Sequence, residues 1–483
     1  MTQQPNIIFL MADQLKYSAT PFSGNSPLSL PYWERMAAEG VCFDSAFSPT
    51  PICTPSRTTI MTGVRPEVHE VFCHQNYAPE NLVQLPELLQ AAGYATLGLG
   101  HYESQRGLTK GWDVQIDNTG TPALAAAMQS QYRAGSRTVG WSSGPHPLPP
   151  EESHAAQLTD LAIQVLNDRA SDDRPLFLHV AYIEPHVPYF YPKGFPLPVV
   201  PEDIDLPAWG DSAAEPAWWE QARRDFASHE ASEEDIRRCI GAYYAMAAYL
   251  DQQMARLFDH LSASGYLENA WIILTSDHGD YTGEKGMFCK SESLYECLLH
   301  VPLVIRGPNG NWHSGERNND LVELTDLFPT ILSLAGQDPP EYVQGHDLVQ
   351  WLDEDVEEPL RPALFSAVGE YHGHLKTTMP WGLPESGRHP SLVRAARTRK
   401  FAYIRDPDYG DEAYNVRTDP YELRNLFQLG DPLPPQVTVL SALLDEEIQS
   451  CERLKREIPV IPGKRNFDEP LPTTVIGSED SKK

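Results

Sequence analysis

Residues 6–12, Asn6-Ile7-Ile8-Phe9-Leu10-Met11-Ala12, form a continuous apolar run of strand length, the pattern of a central strand covered on both faces. Buried strands are predicted in the same way at 94–99, 176–183, 271–276 and 301–306, with another at 41–47. Helices alternate with them. Residues 32–39 read as a helix stopped by Gly40, and 85–92 as one ended by Gly93, with a further helix over 154–170. Ser232 and Asp235 make a capping box for a long helix to about 262, in which Tyr243, Ala247, Leu250, Met254, Leu257 and Leu261 follow helical spacing. Asp326 caps a helix that reaches Gly336.

Elsewhere the periodicity fades. Residues 105–152 are rich in Gly, Ser and Pro and predict a long excursion over the sheet edge, and the stretch to about 230 predicts a second loop whose Trp209, Trp218 and Trp219 cover the core. His69, Cys73 and His74 fall in what reads as a solvated loop, since their spacing matches no common zinc template. An acidic linker over 353–362 precedes strands at 363–368 and 393–405 and a terminal helix at 437–455. The expected organisation is a large α/β domain over 1–360, a smaller α+β part over 361–462 and a loose tail over 463–483.

Charge narrows the function. A net charge of -30 over 483 residues argues against nucleic-acid and anionic-membrane binding, both of which need a basic face. An anionic substrate would therefore need a local positive site. The first residues, Met1-Thr2-Gln3-Gln4-Pro5, lack a basic and then apolar leader, and no window reaches transmembrane length, so a cytoplasmic location is expected. Seven scattered cysteines predict no disulfide framework. Oligomeric state has no signal.

Three segments carry candidate chemistry. Asp13-Gln14 follow the first strand, at the sheet edge where open α/β folds bind ligands; read alone, the aspartate is as easily a turn or cap residue. Asp277-His278-Gly279-Asp280 follow the 271–276 strand, where an adjacent carboxylate and imidazole could reach one cation if the glycine lets the backbone turn tightly. Between them lies Pro51-Ile52-Cys53-Thr54-Pro55-Ser56-Arg57-Thr58-Thr59-Ile60-Met61-Thr62-Gly63. Its prolines predict extended backbone around Cys53 and a helix from Ser56 to Gly63, with the thiol just before an anion-attracting helix N-terminus.

Cys53-x-Pro55-x-Arg57 followed by Met61-Thr62-Gly63 resembles the signature of the sulfatase family, in which a formylglycine-generating enzyme oxidises the cysteine to an aldehyde. The resemblance implies a nucleophile of the hydrated aldehyde at 53: one hydroxyl attacks sulfur or phosphorus, and the other expels the bound oxyanion by carbon–oxygen cleavage. It implies an alkaline-phosphatase-like α/β/α fold with a mostly parallel sheet. It implies a divalent cation on Asp13, Gln14, Asp277 and His278 with residue 53, calcium first and manganese or magnesium next. Arg57 would stabilise the hydrate, Lys290 would grip the substrate anion, and His186, in Glu184-Pro185-His186-Val187-Pro188-Tyr189, would be the general acid.

The chain departs from the family at Gly100-His101-Tyr102-Glu103, where sulfatases have Gly-Lys-x-His, so His101 and Glu103 stand in for a lysine and a histidine. Asn76 aligns with a substrate-contacting asparagine of the phosphonate monoester hydrolase branch. His372, His374 and Trp381 lie in an irregular segment that could return to the pocket. The leading expectation is a hydrolase of small-molecule or saccharide sulfate esters. A phosphonate monoester or phosphodiester hydrolase on the same site is the alternative, and a non-catalytic binding protein with this fold is a third reading.

Overall fold

A computed structural model describes residues 4–463 apart from 75, 102–105, 118–141, 170, 210–214, 226–229, 292, 355–357 and 370–390. Glu103, His372, His374, Trp381 and the tail expected from 463 onward, Gly463 itself excepted, lie outside the described residues. The strands are β1 (Asn6–Ala12), β2 (Val41–Phe43), β3 (Ala46–Phe47), β4 (Ala95–Gly100), β5 (Val114–Asp117), β6 (Ser143–His146), β7 (Leu176–Ala181), β8 (Tyr189–Pro192), β9 (Ala270–Ser276), β10 (Leu303–Arg306), β11 (Glu316–Asn318), β12 (Val322–Glu323), β13 (Leu364–Val368), β14 (Val393–Arg397), β15 (Phe401–Arg405) and β16 (Glu412–Asn415). Eight of them form one sheet in the order β11-β2-β10-β9-β1-β7-β4-β5. All pairings in it are parallel except those of β10, so the sheet is mostly parallel with one reversed strand near an edge.

The unbroken apolar run of β1 is explained by cover on both faces. Ile8, Leu10 and Ala12 join a cluster with the Glu233–Ala263 and His154–Asp168 helices, whereas Ile7, Phe9 and Met11 join one with the Cys53–Thr62, Leu85–Ala91 and Leu327–Leu334 helices. Three layers result. The Ser232/Asp235 capping box is present, and Trp218 and Trp219 are buried in the core.

Some local expectations fail for identifiable reasons. The strand expected over 41–47 breaks at Asp44, whose carboxylate is drawn to Arg317 and the Tyr17 hydroxyl, leaving β2 and β3 in different sheets. Residues 393–405 are a hairpin rather than one strand, turned where the Thr398 N–H meets the Phe401 carbonyl at 2.8 Å. His69 and Cys73 are buried, with His69 Nε2 3.0 Å from Thr59 Oγ1, so the loop expected to be solvated is packed.

A second, antiparallel sheet β13-β14-β15-β16 carries the Pro435–Glu457 helix, with Ala396, Phe401 and Tyr403 against Val437, Leu440 and Leu444. It meets the rest of the chain just ahead of Cys53: the Ala367 N–H donates to the Pro49 carbonyl at 2.9 Å and the Ser366 hydroxyl to the Ser48 carbonyl at 3.3 Å. Among the described residues, no helix is long and apolar enough to cross a membrane.

Candidate active site

Strand register assembles the site. In the parallel pair β1/β9, Ala12 lies opposite Ser276, so the next residues, Asp13 and Asp277, emerge side by side at the carboxyl edge. β7 and β4 continue that edge, and the His101 N–H donates to the Ala181 carbonyl at 2.8 Å. Four adjacent strands thus deliver Asp13-Gln14, Asp277-His278, His101 and, after a short loop from β7, His186.

Cys53 is the first residue of its helix, which runs Cys53–Thr62, so the thiol sits on the first turn rather than ahead of it. Every residue of this polar helix is buried. Its hydroxyls are satisfied internally and by neighbours: Thr58 and Thr62 donate to the carbonyls one turn back, and Ser56 donates to the Asp277 carbonyl at 2.7 Å. Arg57 is fully buried and forks between the strand ends, Nη2 donating to Asp13 Oδ2 at 2.7 Å, Nε to Asp277 Oδ2 at 2.8 Å and Nη1 to the His101 carbonyl at 2.8 Å. The guanidinium thereby fixes two carboxylates that would otherwise repel.

Their remaining oxygens face the thiol. Donor atoms of Asp13, Cys53, Asp277 and His278 all lie within 4.8 Å of one another. His278 Nδ1 donates to the Gly279 carbonyl at 2.8 Å, leaving the Nε2 lone pair 3.1 Å from Cys53 Sγ. Lys290 Nζ lies 2.9 Å from Cys53 Sγ, 3.1 Å from Gln14 Oε1, 3.2 Å from His278 Nε2 and 3.0 Å from His186 Nε2. A side-chain cation already meets three of the expected metal donors. Carboxylate, amide and imidazole donors suit a hard or borderline divalent ion, so the residues present fit one.

Burial and charge set the protonation states. Burial, then Asp13, pushes the Cys53 thiol well above its ordinary value, so it stays protonated and is a poor nucleophile as it stands. Burial opposes the charge on Asp277, but His278, Arg57 and Lys290 hold it well below the usual carboxylate range. Burial and the facing Asp277 push Asp13 the other way. For Lys290, burial is outweighed by the acidic groups around it, so its ammonium is reinforced. Burial and then Lys290 depress His186, which is neutral, with Nδ1 donating to the Val187 carbonyl at 2.5 Å and Nε2 accepting from Lys290.

Gly279 is needed for space: its φ is not left-handed, but a Cβ there would lie 2.1 Å from the Cys297 carbonyl oxygen. Asn76 uses its side-chain oxygen on the Phe72 N–H and the Cys73 thiol, at 3.0 and 3.3 Å, so it shapes its own turn. His101 contributes its carbonyl to Arg57, and burial followed by Arg57 depresses its imidazole. Two neighbours of the site were not assigned to it from sequence. His74 Nδ1 lies 3.0 Å from the Thr54 hydroxyl beside Cys53 and feels Lys290, His186 and His278. Asp280 reaches back to the Gln14 amide. Only the adjacency of Asp280 to Asp277-His278 hinted at its place.

The three-layer α/β fold, with paired strand-end carboxylates around a helix-borne residue, is alkaline-phosphatase-like. The sulfatase family model matches residues 5–337, and the chain belongs to that family of sulfuric ester hydrolases. A model described as N-sulphoglucosamine sulphohydrolase, C-terminal, matches 283–452. An ulvan-active sulfatase of Formosa agariphila is 25% identical over 98% of this chain and 90% of its own length, and arylsulfatase K of Xenopus laevis is 24% identical over 87% and 78%. Among solved structures, a phosphonate monoester hydrolase from Silicibacter pomeroyi superposes with TM-score 0.75 at 21% identity, covering 93% of this chain and 96% of that one. A structure in complex with its substrate D-glucosamine-2-N,6-O-disulfate gives 0.69 at 22%, covering 93% and 99%.

Proposed function

We propose that this chain hydrolyses sulfate esters of saccharides with residue 53, matured to formylglycine, as the nucleophile. The observation that carries the reading is the placement of Cys53 Sγ, which stands where the hydrate oxygen of the matured residue would be, 2.9 Å from Lys290, 3.1 Å from His278 and 3.5 Å from Asp13. The depressed reactivity of the plain thiol supports the need for conversion. A formylglycine hydrate supplies a hydroxyl to attack sulfur and a second to release sulfate, and a divalent cation on Asp13, Gln14, Asp277 and His278 supplies charge stabilisation.

The chain's own residues do the rest. Arg57 holds both carboxylates in place and ties its helix to the two strand ends. Two carboxylates are balanced by Arg57 and Lys290, so a divalent ion leaves the pocket positive, the local field that a chain of net charge -30 needs for an anionic ester. Lys290 donates to His186 Nε2 at 3.0 Å, and this ammonium–imidazole pair is the proton source for the leaving oxygen. The ulvan-active relative and the glucosamine disulfate complex support a saccharide substrate.

Phosphonate monoester hydrolysis is the second reading, favoured by an amide at Gln14 and a histidine at His101 where sulfatases carry lysine. Steady-state rates on an aryl sulfate and an aryl phosphonate ester, with enzyme co-produced with a formylglycine-generating enzyme, separate them. Faster sulfate turnover is expected; turnover of the phosphonate ester alone would replace the first reading with the second.

A further inference from the structure

Gln14 is held in an unusual state. Its φ is +74°, a left-handed conformation that side chains other than glycine rarely adopt. Its N–H donates to Asp277 Oδ1 at 3.1 Å and its carbonyl accepts from the Tyr243 hydroxyl at 2.8 Å. The two ends of its side-chain amide are then distinguished by their neighbours. Lys290 can only donate and lies 3.1 Å from Oε1, while Nε2 donates to Asp280 Oδ2. Asp280 is itself fixed: the Tyr189 hydroxyl donates to Oδ2 at 2.8 Å and the Thr282 N–H to Oδ1 at 2.5 Å. Tyr189 in turn accepts from the N–H of Cys289, the residue before Lys290, at 3.0 Å. Gln14, Asp280 and Tyr189 are all fully buried.

We propose that Asp280 is a positioning residue: it captures the amide nitrogen of Gln14 and so turns Oε1 toward Lys290 and the cation site. The same contact accounts for an amide at position 14, because a carboxylate there would touch the Asp280 carboxylate with no proton donor between them. The inference rests on the reading of Gln14 as a cation ligand. Thr282 makes it sharp. Its backbone donor holds an oxygen at the Oδ1 position, so an asparagine at 280 must aim its NH2 at Gln14, forcing the amide to flip and present its own NH2 to the cation.

Calcium binding to chelator-stripped protein, followed by titration calorimetry, tests this, with the melting temperature in chelator as a control for folding. Asp280→Asn is expected to bind calcium at least about tenfold more weakly, the scale of lost outer contacts at metal sites. Gln14→Glu combined with Asp280→Asn restores an oxygen toward the cation and recovers affinity to within about threefold of the wild type, a coupling that independent sites would not show. Should Asp280→Asn not fold, the comparison of Gln14→Glu alone with the double variant decides, and the double variant should bind more tightly. Wild-type affinity in Asp280→Asn, or a double variant no better than the weaker single one, overturns the proposal. A wild-type protein that binds neither calcium nor manganese overturns the cation reading with it.

Discussion

His186 and Lys290 show how much of the chemistry depends on single atoms. With Nδ1 committed to Val187 and Nε2 accepting from Lys290, the imidazole is a proton acceptor at rest, and the ammonium is the proton's resting place. Loss of the pair matters most when the leaving alcohol is a poor one. His186→Ala is expected to slow hydrolysis of an alkyl sulfate by about a hundredfold or more while affecting a nitrophenyl sulfate much less, the usual span of acid catalysis. Equal losses on both substrates, read from kcat, would remove the acid role. At this scale the sequence was legible where chemistry constrains neighbours: Cys53, Pro55 and Arg57 stand within one turn, and Asp277 and His278 are adjacent. Asp280 acting on Gln14 was hidden, because 266 residues separate them and no local pattern encodes the contact.

The elements that hold these atoms make their own demands. The Cys53–Thr62 helix ends at Gly63 with φ +72°, and a Cβ there would lie 2.8 Å from the Phe328 ring. Gly63→Ala combines a left-handed alanine with an overpacked contact and is expected to cost about 2–4 kcal/mol in urea unfolding, with an unchanged midpoint as the contrary result. Asp251, on the long helix Glu233–Ala263, accepts from the N–H groups of Tyr32 and Trp33 at 3.1 Å, at the start of the Pro31–Ala38 helix. Burial pushes its carboxyl up to about 6 despite those bonds. A carboxyl raised on folding stabilises the fold while protonated, and that contribution fades as pH climbs from about 4 to about 6. The stability of the wild type relative to Asp251→Asn should therefore fall by roughly 2–3 kcal/mol between pH 4 and 7. A constant difference across that range would show that the shift is not there. The central strands and long helices followed the apolar pattern, whereas β5, β6 and the Trp218–Asp225 helix lie in stretches read as loops, and the break at Asp44 and the hairpin at Thr398 required partners distant in sequence or a turn that propensity does not mark.

Across the whole molecule, the fold brings Asp13, Cys53 and Asp277 to one sheet edge and packs a smaller sheet against Ser48 and Pro49. The layer architecture was readable because fully apolar strands demand cover on both faces, and β1 has it. Substrate choice was not readable, since the long Gly-, Ser- and Pro-rich stretches of the sequence carry no periodic signal. On a chain of net charge -30, Lys290, His278 and Asp13 converge on one side chain, that of Cys53. The most direct measurement is therefore sulfate release from an aryl sulfate by the matured wild type and by Cys53→Ala prepared in the same way. The account predicts a loss on the order of a thousandfold or more in kcat with the fold intact. Full activity in Cys53→Ala would contradict it.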